Sequence, residues 1–155
     1  MAAGNWANRY NVPVHVDPSS HAVLTPMLRI LIIEDSPVNM LLTVAILERA
    51  GHAAVRAETA GQGLTLARSV QPDLILMDIQ LPDMDGLDAT RVLRDDPRTC
   101  DIPIIALTAF AMKGDAELMR NAGCDGYVTK PIRYQEFLQE VELVVLRMRG
   151  RHVQE

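Results

Sequence analysis

The stretch that most limits what this chain can fold into is Leu74-Ile75-Leu76-Met77-Asp78, four apolar residues after a Pro72-Asp73 break, closed by an acid. A short run with no polar alternation reads as a strand buried on both faces. Ile79 to Gly86 then puts Pro82 and Gly86 at turn positions, so the backbone leaves the sheet and Asp78 stands at the strand's C-terminal end. In open parallel α/β sheets that end is where ligands bind.

The same grammar recurs along the chain. Leu28 to Ile33 is a β-branched run ending in Glu34-Asp35, and Ser36-Pro37 supplies an N-cap and a proline at the first helical position. The first helix, stopped by Gly51, is expected to bury Val38, Leu41, Leu42, Ala45 and Ile46 as one stripe. Ala53 to Ala57 is a second short strand, and Thr59 caps a helix to about Val70. A third helix spans about Leu87 to Arg94, and Pro103 opens a fourth strand, Ile104 to Thr108. A fourth helix runs near Lys113 to Asn121, Tyr127 to Thr129 is a fifth strand, and a last helix covers about Tyr134 to Arg149. Five strands alternating with five helices predict a doubly wound, flavodoxin-like α/β fold with a parallel sheet of order 2-1-3-4-5. That order sets strands one and three side by side and brings Glu34, Asp35 and Asp78 together.

At 155 residues the chain fits one domain and needs no disulfide or metal staple. A formal net charge of -5 without a Lys/Arg tract argues against nucleic acid or an anionic membrane as partner. Cys100 and Cys124 form no CxxC, and His15, His21, His52 and His152 form no ligand-spaced cluster. No run approaches the ~20 apolar residues that span a bilayer, and no secretory leader is recognisable, so the expected setting is cytoplasmic. Residues 1–26 differ in character, with the only Trp and three of the nine Pro. They read as a flexible N-terminal extension, or as the product of a start assigned upstream of Met27. Residues 27–149 are the domain, and 150–155 a short tail.

Three carboxylates at close range repel, so one or more must hold a proton unless a cation neutralises them, and a hard divalent cation does so. Mg²⁺ suits the site, since it takes oxygen ligands, keeps waters and commonly binds one or two carboxylates plus phosphoryl oxygens. Asp78 is then either a further ligand or a nucleophile. Thr108 and Lys130 close strands four and five at the same sheet edge, and Pro131 holds Lys130 extended. A cation, a hydroxyl and an ammonium around one carboxylate suit a transferring phosphoryl group. The arrangement is that of a phosphorylatable aspartate.

These residues resemble a known family. Glu34-Asp35, Asp78, Thr108 and Lys130, with spacings of 43, 30 and 22 from Asp35 onward, look like the receiver domain of two-component response regulators. The segments Ile30 to Asn39, Leu76 to Gly86, Ala106 to Asp115 and Lys130-Pro131-Ile132 carry the likeness, which covers about residues 28–147. The third segment, with Ala122-Gly123-Cys124, is similar to stand-alone receivers of the DivK type that control the cell cycle and division, and to receivers of hybrid kinases. The resemblance implies that Asp78 accepts a phosphoryl group from a histidine kinase or a histidine phosphotransfer protein. Mg²⁺ would be held by Glu34, Asp35, Asp78 and the backbone carbonyl of Gln80, Glu34 standing where many members have Asp. It further implies that Lys130 and Thr108 contact the phosphoryl group, and that Tyr127 is the switch aromatic that turns inward as Thr108 moves. Pro37, Met40 and Pro131 would be the exposed apolar contacts with the kinase bundle. The face of helix four, strand five and helix five would pass the signal to a protein effector. Gln80 and Phe110 would flank the water path and tune hydrolysis.

The chain ends shortly after the last helix, so the expectation is a stand-alone regulator, not an enzyme, that signals through phosphorylation-dependent protein contacts. A phosphate sink or relay intermediate is the nearest alternative. A phosphohydrolase with an aspartyl-phosphate intermediate is more distant, because enzymes similar to haloacid dehalogenases need a second acid where Gln80 stands. Asp83, Asp85 and Asp88 read as solvated loop carboxylates. A calcium loop is excluded, since Leu81 and Val92 would hold its first and twelfth positions. Gly61-Gln62-Gly63 follows no dinucleotide fingerprint.

Overall fold

The computed structural model describes residues 27–109 and 114–154. The expectations for residues 1–26, for Phe110 and for a helix beginning at Lys113 lie outside the described residues. The elements in chain order are β1 (Arg29–Ile33), α1 (Pro37–Arg49), β2 (Ala53–Ala57), α2 (Ala60–Val70), β3 (Leu74–Asp78), α3 (Gly86–Asp95), β4 (Ile104–Thr108), α4 (Asp115–Ala122), β5 (Gly126–Thr129) and α5 (Tyr134–Gln154). All strand pairs are parallel and the sheet order is β2-β1-β3-β4-β5, as the alternation of elements predicts. The last helix runs five residues beyond the expected end.

Successive strand residues point to opposite faces, so each apolar run feeds two cores. Ile30, Ile32, Leu74, Leu76, Ile105 and Leu107 pack under α1 and α5 with Leu47, Phe137 and Val141. Leu31, Ile33, Ile75, Met77, Ile104 and Ala106 pack under α2, α3 and α4 with Leu64, Leu93 and Met119. Every residue of β3 and β4 is buried, which explains why their sequences carry no alternation. Helix starts follow their sequence signals. Ser36 Oγ accepts from Asn39 N–H at 3.3 Å, and Thr59 Oγ1 accepts from Gln62 N–H at 3.1 Å.

The expected stripe of α1 is wrong in phase. Its buried residues are Met40, Thr43, Val44, Ile46 and Leu47, whereas Val38, Leu41 and Leu42 are 75%, 65% and 41% exposed. Ala45 is exposed as well, so only Ile46 of the predicted set faces the sheet. The cause is that α1 is apolar around most of its circumference between Val38 and Leu47, so periodicity alone leaves the phase open and packing against the sheet selects it. Met40, expected at the surface, lies in the core for the same reason.

Phe137 is wholly buried between α5 and the sheet. Phe137→Ala is expected to lower unfolding free energy by about 3–5 kcal/mol. Equilibrium urea denaturation followed by far-UV circular dichroism checks this.

Candidate functional site

The parallel register brings the chemistry to one edge. β1 and β3 are neighbours, with Ile33 opposite Met77, so Glu34 and Asp78 leave adjacent strand tips at the same level. Asp78 lies opposite Leu107, which sets Thr108 one residue beyond it on the other side. Thr108 pairs in turn with Thr129, and Lys130 follows; its N–H donates to the Thr108 carbonyl at 2.7 Å. Four successive strands thus supply Glu34, Asp78, Thr108 and Lys130 to one rim.

The carboxylates converge as expected. One oxygen each of Glu34, Asp35 and Asp78 lie within 4.8 Å of one another. Glu34 and Asp78 are 1% and 3% exposed, while Asp35 is open to solvent. Lys130 Nζ stands 2.8 Å from Glu34 Oε2 and 3.1 Å from Asp78 Oδ2. Backbone donors hold the remaining oxygens: Ser36 N–H to Glu34 Oε1 at 3.1 Å, and Gln80 N–H to Asp78 Oδ1 at 3.0 Å. Glu34 Oε2 is itself buried, with the Lys130 ammonium against it.

One ammonium against three carboxylates leaves the rim with excess negative charge. Burial raises the Asp78 pKa above the usual carboxyl range, and the neighbouring Glu34 charge adds to the rise; the Gln80 N–H and Lys130 only partly offset it. Burial alone would depress Lys130, yet its bonds to Glu34 and Asp78 prevail and its pKa is raised. The donor set is oxygen only, partly open to water and over-supplied with negative charge. This chemistry fits a hard divalent cation such as Mg²⁺.

The other predicted residues fall as follows. Gln80 is exposed beside Asp78 and bridges to Asp85 across the loop. Tyr127 is 40% exposed on β5. Pro37 and Pro131 are at the surface, and Met40 is not. Residue type gave no hint of the backbone donors Ser36 and Gln80, which only the fold aims at the carboxylates. Gly86, which the sequence marks only as a turn residue, opens α3 directly against the Asp78 peptide, where any Cβ would overlap the Asp78 carbonyl oxygen. The Asp85-Gly86 pair was the available signal, since Asp85 caps α3 by accepting from Leu87 N–H at 2.7 Å. Asp85 and Asp83 are therefore exposed but engaged, and only Asp88, paired with Arg91 at the surface, behaves as a plain solvated carboxylate.

Comparison with known proteins agrees with this geometry. Residues 30–142 match the family model described as the response regulator receiver domain. The polar-differentiation response regulator DivK of Brucella ovis is 45% identical over 113 residues, covering 73% of this chain and 92% of that protein. The receiver domain of a sensor histidine kinase from Pseudomonas aeruginosa, crystallised with a magnesium ion coordinated in its active site cleft, is 35% identical with a TM-score of 0.69, covering 80% of this chain and 98% of its own. A CheY-like receiver domain protein from Methanospirillum hungatei superposes with a TM-score of 0.74 at 29% identity, covering 81% and 98%.

A carboxyl whose proton is held more tightly in the folded chain costs stability once it ionises. Stability is therefore expected to fall as pH rises from the titration of an unfolded Asp to that of the folded Asp78, and to stay low above it. Asp78→Asn should raise Tm by a few degrees at pH 7 without added metal, and the gain should vanish under acid conditions. Added Mg²⁺ should raise the wild-type Tm more than that of Asp78→Asn. Differential scanning calorimetry across pH and Mg²⁺ concentration checks both outcomes.

Proposed function

The chain belongs to the response regulator receiver domain family, and from that premise we propose that Asp78 accepts a phosphoryl group from a phosphohistidine on a histidine kinase or phosphotransfer protein. The observation that carries the reading is the single Lys130 ammonium set between Glu34 and Asp78, with Asp35 alongside. An Asp78 carboxylate oxygen attacks phosphorus; the new P–O bond forms as the P–N bond breaks, and the imidazole leaves with the electron pair. Lys130 offsets charge on the phosphoryl oxygens, and the Thr108 hydroxyl donates to one of them. Glu34, Asp35, Asp78 and the Gln80 carbonyl would hold Mg²⁺. Bound there, the metal supplies the positive charge that lets an anionic donor approach an acidic rim.

Phosphorylation-dependent signalling is general for this family, and here we assign the output to protein contacts in the cytoplasm. The aligned segment makes up 92% of the DivK relative, so the likeness spans nearly all of that response regulator. α4, β5 and α5 enclose a cleft of about 410 Å³ lined by Met119, Arg120, Cys124, Tyr127, Glu140 and Arg147. Tyr127 borders it, so inward rotation of its ring as Thr108 moves reshapes a surface an effector can read. On the donor side, the exposed Pro37 and Pro131 remain candidates, and the outward residues Val38, Leu41 and Leu42 of α1 replace Met40 as apolar contacts. A helix presenting such a stripe fits the groove of a helical bundle.

Incubation with acetyl phosphate and Mg²⁺ should label the chain stoichiometrically and reversibly at Asp78, with slow loss and no turnover of small phosphate esters. Asp78→Asn, Glu34→Gln and Asp35→Asn should each abolish labelling, measured by intact-protein mass spectrometry. Leu41→Glu should keep labelling by acetyl phosphate yet lose at least about tenfold in transfer from a phosphohistidine donor, as expected for a central apolar contact. Sustained hydrolysis of a phosphate ester dependent on Asp78 would replace the signalling reading with an enzymatic one.

A further inference from the structure

Asp83 was expected to be a solvated loop acid, yet both its oxygens are committed. Oδ1 accepts from Ala60 N–H and Oδ2 from Gly61 N–H, each at 2.9 Å. These are the first two amides of α2, which lack partners within their own helix, and a carboxylate there also meets the positive end of the helix dipole. Hydrogen bonds from Gly61 and Ala60 hold the Asp83 carboxyl below the usual carboxylate range.

The sheet order gives this contact a consequence. α2 follows β2, and residues 79–85 follow β3; β1 lies between those strands. The loop that leaves Asp78 thus bonds to the N-terminus of α2, a helix whose Gly63 packs closely on Ile33 at the end of β1, next to Glu34 and Asp35. The two ends of the loop are tied together through the Gln80–Asp85 bridge and the Gly86 N–H bond to the Ile79 carbonyl at 2.8 Å. Leu81 and Met84 add apolar contact with the core under α2 and α3. Apolar contact is non-directional, whereas two aligned bonds to adjacent amides fix where the loop lies.

We propose that Asp83 is a positioning residue for the acidic rim: by clamping the 79–85 loop to the N-terminus of α2, it fixes the loop that carries Gln80 beside Asp78 and so sets Mg²⁺ affinity and the rate of acyl phosphate formation. The proposal rests on Asp78 as phosphoacceptor for its kinetic part only. Metal affinity and loop protection are read independently of phosphoryl transfer. Outer groups that orient metal ligands act in this way in other sites, typically with 10–100-fold effects.

Asp83→Ala, Asp83→Asn and Thr59→Ala form the test. Thr59→Ala removes the side-chain cap of the same helix end without touching the loop, and so controls for simple fraying of α2. Asp83→Ala should weaken Mg²⁺ binding by about tenfold in calorimetric titration. It should also speed amide hydrogen exchange across 79–85 and slow acetyl phosphate labelling. Asp83→Asn, which keeps one acceptor oxygen, should fall between Asp83→Ala and wild type. Thr59→Ala should lower Tm yet retain wild-type Mg²⁺ affinity and labelling. Unchanged Mg²⁺ affinity and loop exchange in Asp83→Ala would overturn the proposal, as would an equal loss of affinity in Thr59→Ala. A wild-type chain that never labels at Asp78 would overturn the phosphoacceptor reading, while affinity and exchange would still decide the clamp.

Discussion

Glu34 and Asp78 are almost wholly withdrawn from water and share one ammonium, Lys130 Nζ at 2.8 and 3.1 Å, with Asp35 beside them at the surface. Burying like charges is costly, and a single cation does not neutralise three carboxylates. The fold tolerates the imbalance because the rest of each tip is over-determined. Glu34 N–H donates to the Ala57 carbonyl, Ile79 N–H to the Leu107 carbonyl and Lys130 N–H to the Thr108 carbonyl, so the rim is stitched strand to strand by its backbone. Residual negative charge on a rigid edge suits a hard cation without reorganising the scaffold.

That rigidity comes from a sheet packed on both sides. Strands β1, β3 and β4 send alternate residues into two aliphatic cores, so a slip of one residue would exchange both faces at once and move every acid off the rim. The same alternation fixes which tips are neighbours. Chemistry and packing here are one constraint seen from two ends of the strand.

Most of the fold was legible because its signals were redundant. Short apolar runs, Ser36 and Thr59 as caps, Pro37 at the first helical position and glycines at turns agreed with one another, and the order of elements then dictated the sheet. The rim was legible because acidic and basic side chains closed strands whose order could be inferred. What failed was the phase of α1, where apolar residues on every side gave no preferred face and misplaced Met40, Val38, Leu41 and Leu42. Backbone donors such as Ser36 and Gln80 were invisible, since any residue type supplies an amide. Asp83 escaped for a related reason. Its partners, Ala60 and Gly61, are more than twenty positions away and reveal nothing by their identity.

The outward side of α1 has an evolutionary corollary. Val38, Leu41 and Leu42 touch solvent while Met40, Val44 and Leu47 carry the packing, so one helix separates what holds the domain together from what the outside world meets. If this face meets the phosphoryl donor as proposed, exchanging the solvent-side trio would alter recognition at little structural cost. On that reading, duplicated genes built on this scaffold would diverge in whom they answer to, and cross-talk between parallel circuits would be pruned, while the interior stayed untouched.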